Sequence, residues 1–418
     1  MKVLHPIALT CALLFAVTQT RAQEWLLGGD ISLLPRYEEV GQKFYNRSGL
    51  TVPSVLKFLK GSTVGWNAQR VRLFVAPEGD PDPAVCQDLD YVTTFGKRLK
   101  DEGFAFMLDF HYSDTWADPS HQTVPKAWQN LTTATAMAAK VYDYTKESLE
   151  HLVEGGATPD FIQVGNEITC GMLWELGRVN SGSVNNWNNF ARILKKAVQA
   201  CREVCPEAKV IIHLEHIQNA SYTVQNFKNL ASRGVDFDIL GLSYYPFWHN
   251  DLSTLANTLQ QLKTNFPEKA VHIVETAYYY ANQPAVGEGI TYDFSSIWPI
   301  SAEGQAQFTA DLVAELKKHD NVKGLFWWFP EENGTGPDND RVLGGWICRG
   351  LWNNTTHRAM PALFELKAFL DREDVGVMAP AAPSSQDGDW HSLQGFRLAE
   401  PPAQQGIYLH QGKKVAVK

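Results

Sequence analysis

Two stretches of this chain set a carboxylate directly behind an apolar run: Gln163-Val-Gly-Asn166-Glu167 and His272-Ile-Val-Glu275. A carboxylate beside aliphatic residues is costly to bury unless something pairs with it. For either glutamate alone, a salt-bridged or solvated strand end would be reason enough. Together they suit glycosidic bond cleavage: one carboxyl protonates the leaving oxygen while the other attacks the sugar or activates water. A separation of roughly 5–5.5 Å would select direct attack with retention of configuration.

Other runs carry groups that would serve such a pair. In Gln69-Arg70-Val-Arg72-Leu-Phe the two arginines share a face at period two. Arg72, nearer the end of the run, is expected to hold Glu275 ionised, because an opposite charge within about 4–6 Å lowers a carboxylate pKa. Glu167 should then lie farther away and keep its proton. Asp109-Phe-His111-Tyr-Ser-Asp114-Thr-Trp116-Ala-Asp118-Pro119 is dense in hydrogen-bonding groups and suits sugar hydroxyls. A zinc site at Asp109 and His111 is the weaker alternative, since no Cys/His set has zinc spacing. Further candidates are Asp30, His213, Tyr244, Tyr245, Trp248 and Trp328. Either tyrosine could donate to the nucleophile, Trp248 could stack on a sugar, and Trp328 could floor the subsite of the cleaved residue. The chain holds 13 Trp, 14 Tyr and 21 Phe, several of the tryptophans in polar, turn-like contexts. Filling core gaps is the plainer reading of any single one, but flat aromatic faces with polar tips are also sugar platforms.

These residues need a scaffold that gathers distant segments at one mouth. Eight strand-like runs answer that need: 26–32, 69–75, 104–110, 161–166, 209–214, 237–243, 271–275 and 324–329. Amphipathic helical stretches alternate with them: 53–61, 89–102, 134–155, 188–204, 224–233, 252–265 and 302–318. Alternation over about 350 residues predicts an α/β fold, a (β/α)8 TIM barrel with its active residues at the strand exits. No G-x-G-x-x-G or G-x-x-x-x-G-K loop follows the first strand, which disfavours a nucleotide fold.

Bulk properties narrow the setting. The formal net charge is −9, which argues against nucleic acid and suits a neutral substrate. No apolar run after the N-terminus is long enough to span a bilayer. Residues 1–22 read as a signal peptide: Lys2, an apolar run from Ile7 to Val17, then Thr20-Arg21-Ala22 before Gln23. A lipoprotein cleaved at Cys11 would leave a very short apolar run. The protein is therefore expected to be exported, to the periplasm, the cell surface or the medium. Five cysteines remain, an odd number. Cys201 and Cys205 could touch on one helix, but at the long end of disulfide spacing. The catalytic barrel is expected over 23–373. Residues 374–418 form a linker-like stretch, then a hairpin about Gln411-Gly412.

Taken in order, Gly-Gly-Asp-Ile-Ser (28–32), Arg-Val-Arg (70–72), the run at 109–119, Val-Gly-Asn-Glu (164–167), Leu-Gly-Leu-Ser-Tyr-Tyr-Pro-Phe-Trp-His (240–249) and Val-Glu-Thr-Ala-Tyr (274–278) resemble family 53 glycoside hydrolases, the arabinogalactan endo-β-1,4-galactanases. The resemblance runs from about Gly28 to Leu363. It implies a retaining mechanism with Glu167 as acid/base and Glu275 as nucleophile; beside them, Asn166 is expected to bond the 2-hydroxyl and Arg72 to align the nucleophile. It also implies galactan side chains of pectin as substrate, and no cofactor. Some members carry an acidic calcium loop after the seventh strand. The corresponding Tyr278–Pro299 lacks a repeated Asp-Gly-Asp pattern, so no metal is expected, with Asp338 and Asp340 the remaining place for a structural calcium. Phe74-Val-Ala-Pro replaces a usual Trp-containing run, and Leu214-Glu215-His216 is unusual, so the pocket wall should differ locally. Two alternatives stand beside this one: a retaining barrel endo-glycosidase acting on β-glucan, mannan or xylan, and a carbohydrate-binding barrel without catalysis. The polysaccharide is the expected partner of a monomer.

Overall fold

The computed structural model describes residues 25–334, 342, 346–371, 390–391, 397–398, 406–410 and 413–417. The chain divides into two compact units, Met1–Asp371 and Arg372–Lys418. The expected signal peptide, the linker, the turn at Gln411-Gly412 and the pair Asp338 and Asp340 lie outside the described residues.

Eight parallel strands close a barrel in the first unit: β1 (Leu26–Asp30), β2 (Ala68–Leu73), β3 (Ala105–Phe110), β4 (Phe161–Val164), β5 (Lys209–Leu214), β6 (Ile239–Tyr244), β7 (Ala270–Thr276) and β8 (Val322–Trp328). Each strand pairs with its sequence neighbours, and β8 closes on β1 through Gly28↔Phe326 and Asp30↔Trp328. The α/β barrel read from the alternation is the fold observed. Helices cover its outer surface for the usual reason: one stripe of each is apolar. In Trp187–Val204 the stripe is Phe190, Ile193, Leu194, Ala197 and Cys201, all buried. Side-chain caps fix where several helices start. The side chains of Thr133, Asn219, Asp251 and Ser301 each accept a backbone N–H in the first turn.

Inside the barrel, the pleat sorts polarity by depth. Ala68, Met107 and Ile211 lie in an apolar floor layer with Leu26, Ile239 and Phe326. Two residues further along the same strands come Arg70, Asp109 and His213, and Phe161 is likewise followed by Gln163, all four buried. Gly28 is obligatory at this level: a Cβ there would fall 2.0 Å from the Ala68 carbonyl oxygen, so only glycine lets β1 pass.

One boundary departs from expectation in a way that matters. β4 ends at Val164 rather than at Asn166. Gly165 turns the chain at φ 92°, and Glu167 adopts the left-handed conformation at φ 48°. The Asn-Glu pair therefore sits on a tight turn above the strand.

The second unit contributes a four-stranded antiparallel sheet: Trp390–His391, Arg397–Leu398, Gly406–His410 and Lys413–Val417. Its last two strands pair through Ile407↔Ala416 and Tyr408↔Val415. The described cysteines, Cys86, Cys170, Cys201, Cys205 and Cys348, are all free thiols. Among the described residues no helix is long and apolar enough to cross a membrane.

Candidate active site

The strand exits surround a cavity of about 450 Å³ that both glutamates line, together with Asn166, His111, Trp116, Tyr245, Trp248, Trp328 and Trp346. Glu275 ends β7. Arg70 Nη2 lies 3.0 Å from its Oε1, and the Tyr245 hydroxyl donates to its Oε2 at 2.9 Å. The same guanidinium donates to Asp30 Oδ2, Asp109 Oδ2 and Asn166 Oδ1, each at 2.8 Å. Such a network is tolerable in a barrel interior because the buried cation meets several anionic or polar acceptors.

Here the structure corrects the expectation for the arginines. Arg70, not Arg72, holds Glu275. Arg72 sits at the rim, where it bonds Asp30 Oδ1 at 3.1 Å and the Ala84 carbonyl at 3.1 Å. Its guanidinium stacks 4.6 Å from the Trp116 ring and 4.7 Å from Phe329. Nearness to the strand end was the wrong criterion. The acidic side chains of three strands converge one layer deeper, where a side chain from the middle of β2 reaches the barrel axis.

Glu167 has different company. Its Oε1 accepts from Ser243 Oγ at 2.7 Å, and Ser243 lies 2.8 Å from His213 Nε2. The Glu167 N–H and Gln163 Nε2 both point at His213 Nδ1, at 3.3 and 3.1 Å. Asn166 Oδ1 also lies 3.0 Å from the same nitrogen, so the ring joins the Asn-Glu turn to Ser243. Burial, with the Arg70 charge adding, holds His213 well below its usual pKa, consistent with a neutral ring.

The two carboxyls are coupled. Burial pushes Glu167 well above the usual carboxylate range, and the charges of Glu275 and Glu215 push it further. Burial also raises Glu275, to about 7, against the downward pull of Arg70 and the Tyr245 hydrogen bond. Arginine does favour the ionised nucleophile as expected, but burial outweighs it. The pair titrates as a unit, and Glu275, beside a cation and a hydroxyl donor, gives up its proton first.

Five of the expected substrate contacts, Asp30, Asp109, Asp114, His213 and Tyr244, do not line the cavity. Asp30 and Asp109 are fully buried against Arg70. His213 serves Glu167 from below. Asp114 Oδ2 accepts the Lys126 N–H at 2.8 Å and ties the β3 loop to itself. Tyr244 points out of the barrel: its hydroxyl donates to the Asn250 carbonyl at 3.0 Å and its ring stacks on Phe308. Tyr244 ends β6 facing outward, and Tyr245, the next residue, faces the cavity. His111 lines the cavity while its Nδ1 accepts from Ala117 N–H at 3.0 Å.

The aromatic wall is larger than the sequence suggested. Trp346, in the glycine-rich segment after β8, packs 4.3 Å from Trp328, 5.2 Å from Trp248 and 5.7 Å from Tyr245, ring centre to ring centre. Arg349 lies 3.4 Å from the Trp346 ring and fixes it from behind. Asp82 and His121 also line the cavity, and Asp82 Oδ2 accepts from Trp116 Nε1 at 2.9 Å. Among the described residues no cluster of three or more His, Cys, Asp or Glu side chains could hold a metal.

A closed barrel with two coupled carboxyls at its mouth and tryptophans around them defines a barrel glycoside hydrolase. The family model for Glycosyl hydrolase family 53 matches residues 26–369. Over 322 residues the chain is 32% identical to the endo-beta-1,4-galactanase of Bacillus subtilis (strain 168), covering 75% of this chain and 72% of that protein. It is 33% identical over 317 residues to the arabinogalactan endo-beta-1,4-galactanase of Humicola insolens, covering 72% of this chain and 88% of that one. The solved GH53 catalytic domain of Ignisphaera aggregans superposes with a TM-score of 0.74 at 31% identity, over 84% of this chain and 98% of that chain. The chain belongs to glycosyl hydrolase family 53.

Proposed function

We propose that this protein is an exported endo-β-1,4-galactanase that cleaves the galactan side chains of pectin with retention. The observation that carries the mechanism is the asymmetry of the two carboxyls: Glu275 lies between a guanidinium and a hydroxyl donor, while Glu167 is hydrogen-bonded by the neutral Ser243. Glu275 attacks C1 of the galactosyl unit as Glu167 passes its proton to the departing O4. The galactosyl-enzyme ester is then broken by water, which Glu167, now ionised, deprotonates. Asn166 is the candidate donor to the 2-hydroxyl. Trp328, Trp116 and Trp248 form the sugar-stacking walls, and His111 contacts hydroxyls. Asp30, Asp109 and His213 position these groups from beneath, and Arg72 braces Asp30 and Trp116 from the side. The two carboxyls supply both the nucleophile and the proton transfers, so the chemistry calls for no cofactor. The galactanase names of the relatives and the motif runs at 109–119 and 240–249 support the substrate, and residues 1–22 support export.

The test is hydrolysis of linear β-1,4-galactan by the wild type and by Glu275→Ala, with product sizes followed over time. Mixed short galacto-oligosaccharides made early by the wild type alone would support endo action and the role of Glu275. Cleavage of β-glucan, mannan or xylan with galactan left intact would overturn the substrate. Binding of galactan without turnover would overturn catalysis.

A further inference from the structure

A second cavity, of about 460 Å³, lies beside the catalytic one, between the loops that follow β3 and β4. His121 and Thr123 line both, so one cleft leads into the other. The two loops are tied together here. The Trp174 N–H donates to the Gln122 carbonyl at 2.9 Å, and Gln122 Nε2 donates to the carbonyl of Asn166, the neighbour of Glu167, at 2.8 Å.

Trp174 stands on the loop that carries Glu167, and its indole is pinned. Nε1 donates to the Cys170 carbonyl at 3.0 Å, and the Arg178 guanidinium packs 4.3 Å from the ring centre. Partly buried Val124, Leu131 and Leu176 extend the apolar surface around it. Among the described residues no lysine or arginine lines this cavity, which disfavours an anionic ligand. A pinned indole, aliphatic neighbours and a polar rim match the C–H face and hydroxyl edge of a neutral sugar.

We propose that this cavity is a saccharide subsite on the leaving-group side of the cleft, with Trp174 as its platform. The side follows from position. The proton donor must stand at the leaving oxygen, and the cavity opens on the loop bearing that donor, whereas Trp328 and Trp346 stand on the β8 side of the mouth. A chain bound across the scissile point would place its departing sugars over Trp174. The inference rests on the proposed polysaccharide hydrolysis and adds where the released half of the chain is held.

The experiment compares kcat/KM on linear β-1,4-galactan with that on an aryl β-galactobioside, whose leaving group is too small to fill the cavity. Trp174→Ala should lower kcat/KM about tenfold more on galactan than on the aryl substrate, mainly through KM. Leu176→Ala, which spares the indole and its clamps, should give the same bias at smaller size. Equal losses on both substrates would mark a purely structural role, and no loss on either would mark an idle surface; each overturns the subsite. If the wild type cleaves a different β-linked polymer, the galactan reading fails, and the same bias measured on that polymer decides the subsite separately.

Discussion

Glu275 and Glu167 share one cavity but belong to different electrostatic neighbourhoods. Around Glu275 the partners are Arg70 at 3.0 Å and the Tyr245 hydroxyl at 2.9 Å. Around Glu167 the bonded partner is Ser243, backed by neutral His213, and the charges that act on it are those of Glu275, Glu215 and Asp118. The same side chain thus acquires two chemistries from its surroundings: one site favours the anion, the other the acid. Glu215 belongs to this contrast. Buried on the β5 exit, its Oε2 accepts from Thr169 Oγ1 at 2.6 Å, two residues past Glu167, and burial raises it to about 7.

Removing either carboxyl breaks the comparison outright, by different amounts. Glu275→Ala deletes the atom that forms the covalent bond and should cost about 10⁴-fold or more in kcat on every substrate. Glu167→Ala should cost about 10²–10⁴-fold on galactan. It should spare the first step on an aryl galactoside whose leaving group departs without a proton. Steady-state and burst kinetics on the two substrates check this. Equal losses on both would mean Glu167 does not act as the acid.

Arg70→Lys weakens one side of the contrast. Lysine keeps a charge but cannot bond Asp30, Asp109 and Glu275 at once from a planar fork. The expected loss in kcat is about 10²-fold, from a misplaced nucleophile. The pH profile gives the sharper reading. The active form has Glu275 ionised and Glu167 protonated, so the acid limb follows Glu275 and the alkaline limb follows Glu167. With less cationic pull, burial dominates further, the Glu275 pKa rises, and the acid limb moves to higher pH. An acid limb that stays put would show that Arg70 does not set the ionisation.

How much of this was legible beforehand follows from which signals are local. The barrel was readable because each strand is a compact apolar run and each helix carries its own apolar stripe. The two glutamates were readable because a carboxylate ending such a run stands out. The arginine assignment failed because depth in a barrel depends on how strands from distant segments stagger, and strand length alone does not report it. Asp30, Asp109 and His213 look like ligand-binding residues by type, but they spend their bonds on Arg70, Gln163 and Asn166. Tyr244 and Tyr245 were indistinguishable until the β6 register was fixed, with Ser243 opposite Glu275 and Tyr244 opposite Thr276. Trp346 was one tryptophan among 13, and its place in the wall rests on a loop that returns from β8.

The finest test of the contrast is Ser243→Ala. The serine donates to Glu167, which lowers that carboxyl's pKa, so it opposes the burial and like charges that raise it. Losing the hydroxyl should let the Glu167 pKa climb, and the alkaline limb should move to higher pH while the acid limb, set by Glu275, holds. The rate should fall only severalfold, because one neutral hydrogen bond is worth about 0.5–1.5 kcal/mol. Arg70→Lys and Ser243→Ala thus pull on opposite limbs of one profile, and the double variant should shift both. If Ser243→Ala moved the acid limb instead, the serine would be acting on the nucleophile, and the assignment of neutral support to Glu167 would fail.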